Sequence, residues 1–159
     1  MSKYRLYAAY GSNMNLVQMA NRCPNSVVVG TGKIENYELE FRYYANIVPA
    51  KGKEVPVVVW AITEEDEKRL DRYEGVARGL YRKEEIKVKL ENINDNTIVV
   101  GDKSDNIEIK ALVYIMNTAV RSVQAPSAKY YDTILEGYRA NGIDPYPLAV
   151  AAIQTGIEI

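Results

Sequence analysis

The sequence predicts an α+β domain built around a curved or barrel-like, mostly antiparallel sheet with helices placed around it. Three observations carry this. Short stretches of two-residue apolar alternation follow one another along the chain in an order that suits antiparallel pairing. Capped helical segments are inserted singly between them rather than after every strand, which argues against a parallel α/β layer. No repeat, linker or low-complexity segment interrupts the 159 residues, so a single domain over 1–159 is expected.

The elements follow in order. Residues 4–10 read as a strand ended by Gly11-Ser12-Asn13. A short helix is expected over about 15–22, with Leu16, Met19 and Ala20 at helical spacing and Pro24 as its stop. Val27-Val28-Val29 is a strand, and so is Tyr37 to Tyr44, where Tyr37, Leu39, Phe41 and Tyr43 alternate with polar or charged neighbours. Lys51-Gly52-Lys53 reads as a turn. Val55 to Ile62 is apolar on both faces and therefore a strand buried on both sides. Pro56 lacks an N–H and belongs at that strand's start or on an edge.

Thr63 is placed to cap a helix whose first turn is acidic, with Leu70 and Tyr73 facing inward and Gly75 closing it. Strands are expected over 81–90 and 107–116, with Asn92 to Asn106 as an exposed hairpin extension. Ser127 caps a helix to about Ala140, ended by Asn141-Gly142. Tyr130, Ile134 and Tyr138 share one of its faces, with Tyr131 and Leu135 beside them. A last short helix is expected from about Pro147 to Gly156.

Composition narrows the chemistry. The formal net charge is -1, and Lys and Arg are spread along the chain. Neither feature favours nucleic acid or an anionic membrane as a partner. No apolar run approaches the roughly 18 residues of a membrane span, and the N-terminal residues lack a signal peptide's apolar core, so a cytoplasmic location is expected. The chain has no histidine and one cysteine. That excludes a Ser-His-Asp triad, a Cys-His pair and a thiolate-imidazole zinc site. Cys23 reads as a buried, inert thiol. Acid-base work would fall to Asp, Glu, Tyr or Lys. Thirteen tyrosines against one Phe and one Trp suit a half-polar pocket, although edge strands and core margins use tyrosine too.

Two places break local rules. Tyr10-Gly11-Ser12-Asn13 carries a strand through glycine toward a helix start, leaving backbone N–H groups free for a carboxylate or an oxyanion. An ordinary capped turn has the same sequence. Glu74 sits in the last turn of its helix, directly before Gly75, where the helix dipole disfavours a carboxylate and any burial raises its pKa further. A solvated surface glutamate is the alternative.

Five segments in order carry a resemblance: Tyr10-Gly11-Ser12-Asn13, Val58-Val59-Trp60, Leu70 to Val76, Gly79-Leu80-Tyr81, and Ala125 to Tyr130. Together they resemble the γ-glutamyl cyclotransferase family with its AIG2-like relatives, over Tyr4 to about Gly142. The resemblance implies a small mixed, mostly antiparallel β-barrel with peripheral helices. It also implies an intramolecular reaction, in which the α-amine of a γ-glutamyl group attacks its own side-chain carbonyl to give 5-oxoproline and a free amine. By the same resemblance, Glu74 is the catalytic carboxylate. Tyr10, Gly11, Ser12 and Asn13 line the γ-glutamyl pocket with Tyr81 and Tyr130. The partner is a small γ-glutamyl compound, no cofactor or metal is called for, and a homodimer is compatible. The same family pattern fits a relative that removes a γ-glutamyl group in biosynthesis, or a non-catalytic binding module.

Two departures shape what the structure should show. Pro56-Val57 precede the Val-Val-Trp strand where the family often has glycine. Tyr81 has the wrong parity for a core whose inward set is Ile86, Val88 and Leu90, and it shares a face with Lys87 and Lys89. Either a bulge intervenes or the pocket opens on that other face.

Overall fold

A computed structural model describes residues 4–94, 107–119 and 121–156. The strands are β1 (Tyr4–Ala9), β2 (Val27–Arg42), β3 (Tyr44–Thr63), β4 (Tyr81–Ile93) and β5 (Ile107–Met116). The helices are α1 (Leu16–Arg22), α2 (Glu64–Tyr73), α3 (Ala128–Ala140) and α4 (Tyr146–Ile153), and short 3-10 turns cover Ser12–Met14 and Val76–Arg78.

The strands close into a barrel in the order β1-β3-β2-β4-β5. Pairing is antiparallel throughout except at the closing contact of β1 with β5, where Tyr7 lies beside Leu112 in parallel. The expected mixed, mostly antiparallel barrel is therefore present. At Gly30 and Gly32 the backbones of β2 and β4 approach so closely that an added Cβ would fall 1.9 Å from the Asn92 oxygen and 2.4 Å from that of Lys89. Only glycine lets the two strands pair there.

The doubly apolar run of β3 is buried from Val55 to Ile62, because that segment pairs with β2 and, from Val58 onward, also with β1. Pro56 pairs with Lys33 of β2 but lies beyond the last β1 pair, Ala9 with Val58. The residue without a donor thus occupies an edge inside a long strand. Thr63 caps α2 through a full capping box with Asp66, and Ser127 caps α3 by accepting from the Tyr130 N–H.

Several expectations are corrected. The two strands foreseen over 27–29 and 37–44 are one, β2, with register shifts between Val28 and Gly30 and between Glu35 and Tyr37. Local periodicity breaks at these irregularities while the pairing partner carries on. Lys51-Gly52-Lys53 is not a turn. It lies within β3, where Gly52 (φ 81) faces the irregularity at Asn36 (φ 64) and donates to its Oδ1 at 3.1 Å. The chain instead reverses at Tyr43 (φ 68), between Arg42 and Tyr44.

Tyr73 is 56% exposed rather than inward, since the end of α2 overhangs the barrel and the ring receives the Arg22 guanidinium at 4.4 Å. In α1 only Met19 is buried, while Leu16 and Ala20 face out. Cys23, the C-cap of α1, is fully buried, and burial pushes its thiol up to about 12. The last helix begins at Tyr146 and ends at Ile153. Most of the expected 92–106 extension falls outside the described residues.

Candidate active site

β1 ends at Ala9, Tyr10 follows it, and Gly11 leads into the 3-10 turn Ser12–Met14. The 3-10 turn is closed by Met14 N–H to Gly11 O and by Asn15 N–H to Ser12 O, both at 3.0 Å. Among the described residues, the N–H groups of Gly11, Ser12 and Asn13 make no hydrogen bond within the chain. Asn13 is 3% exposed and locked in place. Its amide donates to the Tyr7 hydroxyl (3.0 Å), its Oδ1 accepts from Gln18 and Arg22, and its carbonyl accepts from Trp60 Nε1 (3.1 Å). At Gly11 a Cβ would press on the Ala45 Cβ (3.2 Å) and approach the Tyr130 hydroxyl (3.4 Å). The missing side chain makes room for the opposite wall.

α2 delivers Glu74. It sits at the helix C-cap with its N–H on Leu70 O (2.8 Å), and Gly75 follows in the left-handed region (φ 62). Part-buried charges hold the helix against the barrel. Lys83 of β4 pairs with Glu67 and, at 3.1 Å, with Asp71. Arg5 of β1 reaches Glu67 at 2.7 Å, and the Tyr114 hydroxyl donates to Asp71 at 2.7 Å. The partners of these α2 acids on β1, β4 and β5 are invisible in the helix's own sequence pattern.

The question of parity is settled by the register. Tyr81 to Leu90 pair with Met116 to Ile107 without interruption, so no bulge intervenes. Tyr81, Lys83 and Tyr114 share the face on which α2 lies. The pocket opens on that face, opposite Val88 and Leu90.

One cavity of about 350 Å³ unites the expected residues: Tyr10, Gly11, Ser12, Asn13, Glu74, Tyr81 and Tyr130 all line it. Tyr131, the neighbour of Tyr130, does not line it. Two of the tyrosines grip a single residue. The Tyr81 hydroxyl donates to Ala45 O at 2.7 Å, and the Ala45 N–H donates to the Tyr130 oxygen at 3.1 Å. The Tyr10 hydroxyl is spent on Tyr114 O at 2.5 Å. Burial raises all three phenols, so they stay neutral.

Glu74 is the single carboxylate among the described residues of the lining. It accepts no side-chain hydrogen bond and forms no ion pair there. Burial pushes its carboxyl up to about 7, with the Arg22 charge pulling the other way. The lining also holds residues that the sequence did not single out, notably Tyr7, Arg22, Tyr114 and Arg121. Single arginines separated by whole elements carry no motif. Among the described residues no group of three or more carboxylate or thiol side chains is placed to hold a metal ion, and no helix is long and apolar enough to cross a membrane.

The chain is thus a closed five-stranded barrel with a tyrosine-walled cavity beside α2, in which Glu74 is the one carboxylate among the described lining residues. The chain belongs to the family described as gamma-glutamyl cyclotransferase, AIG2-like, whose model matches residues 7–137. It is 28% identical over 150 residues to the gamma-glutamylcyclotransferase of Mus musculus, covering 87% of this chain and 72% of that one. The protein of the same name from Bos taurus is 29% identical with the same coverage. A solved structure of a gamma-glutamyl cyclotransferase aligns with a TM-score of 0.77 at 24% identity, over 93% of this chain and 86% of that one, a likeness of fold.

Proposed function

We propose that the protein is a γ-glutamyl cyclotransferase that needs no metal and uses Glu74 as its general acid and base. The observation that carries this is an unpaired carboxylate held near pKa 7 in the same cavity as the Tyr10–Asn13 loop. Family membership and relatives named gamma-glutamylcyclotransferase support the same reading.

The nucleophile is the substrate's own α-amine, so no protein nucleophile is required. Two protons leave the α-nitrogen and two arrive on the departing nitrogen. Ionised Glu74 takes the first from the ammonium. The freed amine attacks the γ-carbonyl carbon, and the tetrahedral intermediate closes the five-membered ring. Glu74 then returns that proton to the leaving nitrogen as its bond to carbon breaks, and carries the second proton from the ring nitrogen to the departing amine, giving 5-oxoproline and a free amine or amino acid in its ammonium form. A shuttle group works best with a pKa near the working pH, because both of its forms are then populated.

The remaining work is positional. Holding the glutamyl chain curled would supply on the order of 7–11 kcal/mol through orientation. The free N–H groups of Gly11, Ser12 and Asn13 suit an oxygen anion of the substrate. Tyr130, whose oxygen already accepts from Ala45, keeps its own proton to donate. A mass-spectrometric screen of γ-glutamyl dipeptides, γ-glutamyl amines and glutathione for 5-oxoproline release tests the reading. Glu74→Gln is expected to lower turnover at least about a hundredfold; normal turnover by that variant removes Glu74 from the chemistry.

A further inference from the structure

We infer that Arg22 is a positioning residue for the reaction. It couples the turn that presents the free amides to the end of α2 that presents Glu74, and it holds a fixed positive charge in their cavity without pairing with that carboxylate. This rests on the cyclotransferase reading and deepens it.

Arg22 is the last residue of α1, where a cation suits the helix C-terminus. It is half-buried and lines the cavity. Its Nη1 donates to Asn13 Oδ1 at 3.0 Å, an oxygen that Gln18 also reaches at 3.2 Å. Asn13 passes the constraint on by donating to the Tyr7 hydroxyl at 3.0 Å. The other side of the guanidinium lies 4.4 Å from the centre of the Tyr73 ring, and Tyr73 is the residue before Glu74. One side chain therefore bridges α1, the amide turn and α2. An edge spent on an amide oxygen and a face spent on a ring leave the guanidinium little freedom. Among the described residues it pairs with no carboxylate.

That separation has chemical consequences. A contact ion pair would pull a carboxyl down by about 1–3 units and spend it as a base. Glu74 instead stays near 7, with burial pushing up and the Arg22 charge pulling down. The other groups facing the cavity are silent in this range. Tyr7 and Tyr10 at the end of β1, Tyr81 of β4, Tyr114 of β5 and Tyr130 of α3 are all raised by burial and stay neutral. Glu67 and Asp71, earlier on α2, are paired with Arg5 and Lys83. Of the other lining cations, Arg78 is exposed and Arg121 lies over Tyr43 and Tyr44. Arg22 is thus the cation that tempers Glu74. The same charge favours the neutral form of the substrate's α-amine, which eases the first proton transfer.

Two measurements test this together: a carbon-13 NMR titration of the Glu74 carboxyl, assigned by its loss in Glu74→Gln, and a pH–rate profile on γ-glutamyl-L-alanine. Arg22→Met and Arg22→Gln are expected to move both the titration and the acidic limb up by about half a unit or more. Two uncharged variants are used so that the poor folding of one leaves the other to decide. Arg22→Lys should keep both within about 0.2 unit of wild type while lowering kcat, since an ammonium cannot fork and stack as a guanidinium does. A merely structural role would slow the uncharged variants with titration and limb unmoved, and that result overturns the inference. Arg22→Lys shifting as far as Arg22→Met overturns it too. If the wild type releases no 5-oxoproline, the cyclotransferase reading falls and this inference with it, whereas an active wild type whose titration is unmoved in both uncharged variants overturns this inference alone.

Discussion

The Tyr81 hydroxyl donates to the Ala45 carbonyl at 2.7 Å, across 36 residues of sequence. This bond ties the start of β4 to the tip of the β2–β3 hairpin, at the same residue whose N–H meets Tyr130. Tyr81→Phe should therefore cost about 1 kcal/mol of stability, the ordinary net worth of one buried hydrogen bond. It should also raise KM several-fold, because the cavity wall loses its clip. Urea unfolding alongside steady-state kinetics checks both; a variant with wild-type KM shows that the wall does not depend on this bond.

Glu74 should make stability depend on pH in a definite sense. Its folded-state pKa is raised from 4.5 to about 7, so above about pH 4.5 the folded state binds more protons than the unfolded one. Stability contributed by this group is present at low pH and is lost as pH rises through 7. Glu74→Gln removes the loss. The variant should match wild type near pH 4.5 and exceed it by on the order of 1–2 kcal/mol at pH 8, partial exposure reducing the full shift. Thermal melts at the two pH values decide this, and a variant less stable than wild type at pH 8 contradicts a strained carboxylate.

Rate should carry the same signature. The ionised carboxylate is needed to deprotonate the substrate ammonium, so kcat/KM should fall about tenfold per pH unit below a limb near pH 7. A limb near the ordinary carboxylate value of 4.5 would assign the proton transfer to another group. The measurement is a pH–rate profile on a single γ-glutamyl substrate.

Gly137 holds α3 against the turn that presents the free amides. A Cβ there would sit 2.7 Å from the Met14 carbonyl carbon and 2.8 Å from the Asn15 nitrogen. Alanine in place of a helical glycine normally gains about 1 kcal/mol, but overpacking against backbone costs about 1–3 kcal/mol. Gly137→Ala should be net destabilising and should lower kcat/KM by displacing Ser12–Met14. A stabilised, fully active variant would show that the turn tolerates movement.

The sequence by itself determined the elements whose signals are local. Thr63 and Ser127 announce their helices because a cap needs only its own next turn, and Gly75 marks the end of α2 because the left-handed turn is intrinsic to glycine. The double-sided burial of Val55 to Ile62 was legible because nothing polar interrupts it. Glu74 stood out for a related reason, a carboxylate where the helix dipole opposes one.

Tertiary pairing decided the rest. The Lys51–Lys53 segment has turn composition, yet β2 holds it extended, with the irregularity at Asn36 matched by Gly52. Tyr81 offered two alternatives that only its unbroken register with β5 could separate. Arg22, Arg78 and Arg121 reach one cavity from three separate segments, and no spacing in the chain records that meeting. The raised pKa of Glu74 belongs to the same category. Its position on the helix is written in the sequence, but the burial that makes it titrate near 7 comes from the walls that the barrel, the Tyr10–Asn13 turn and the tyrosines build around it.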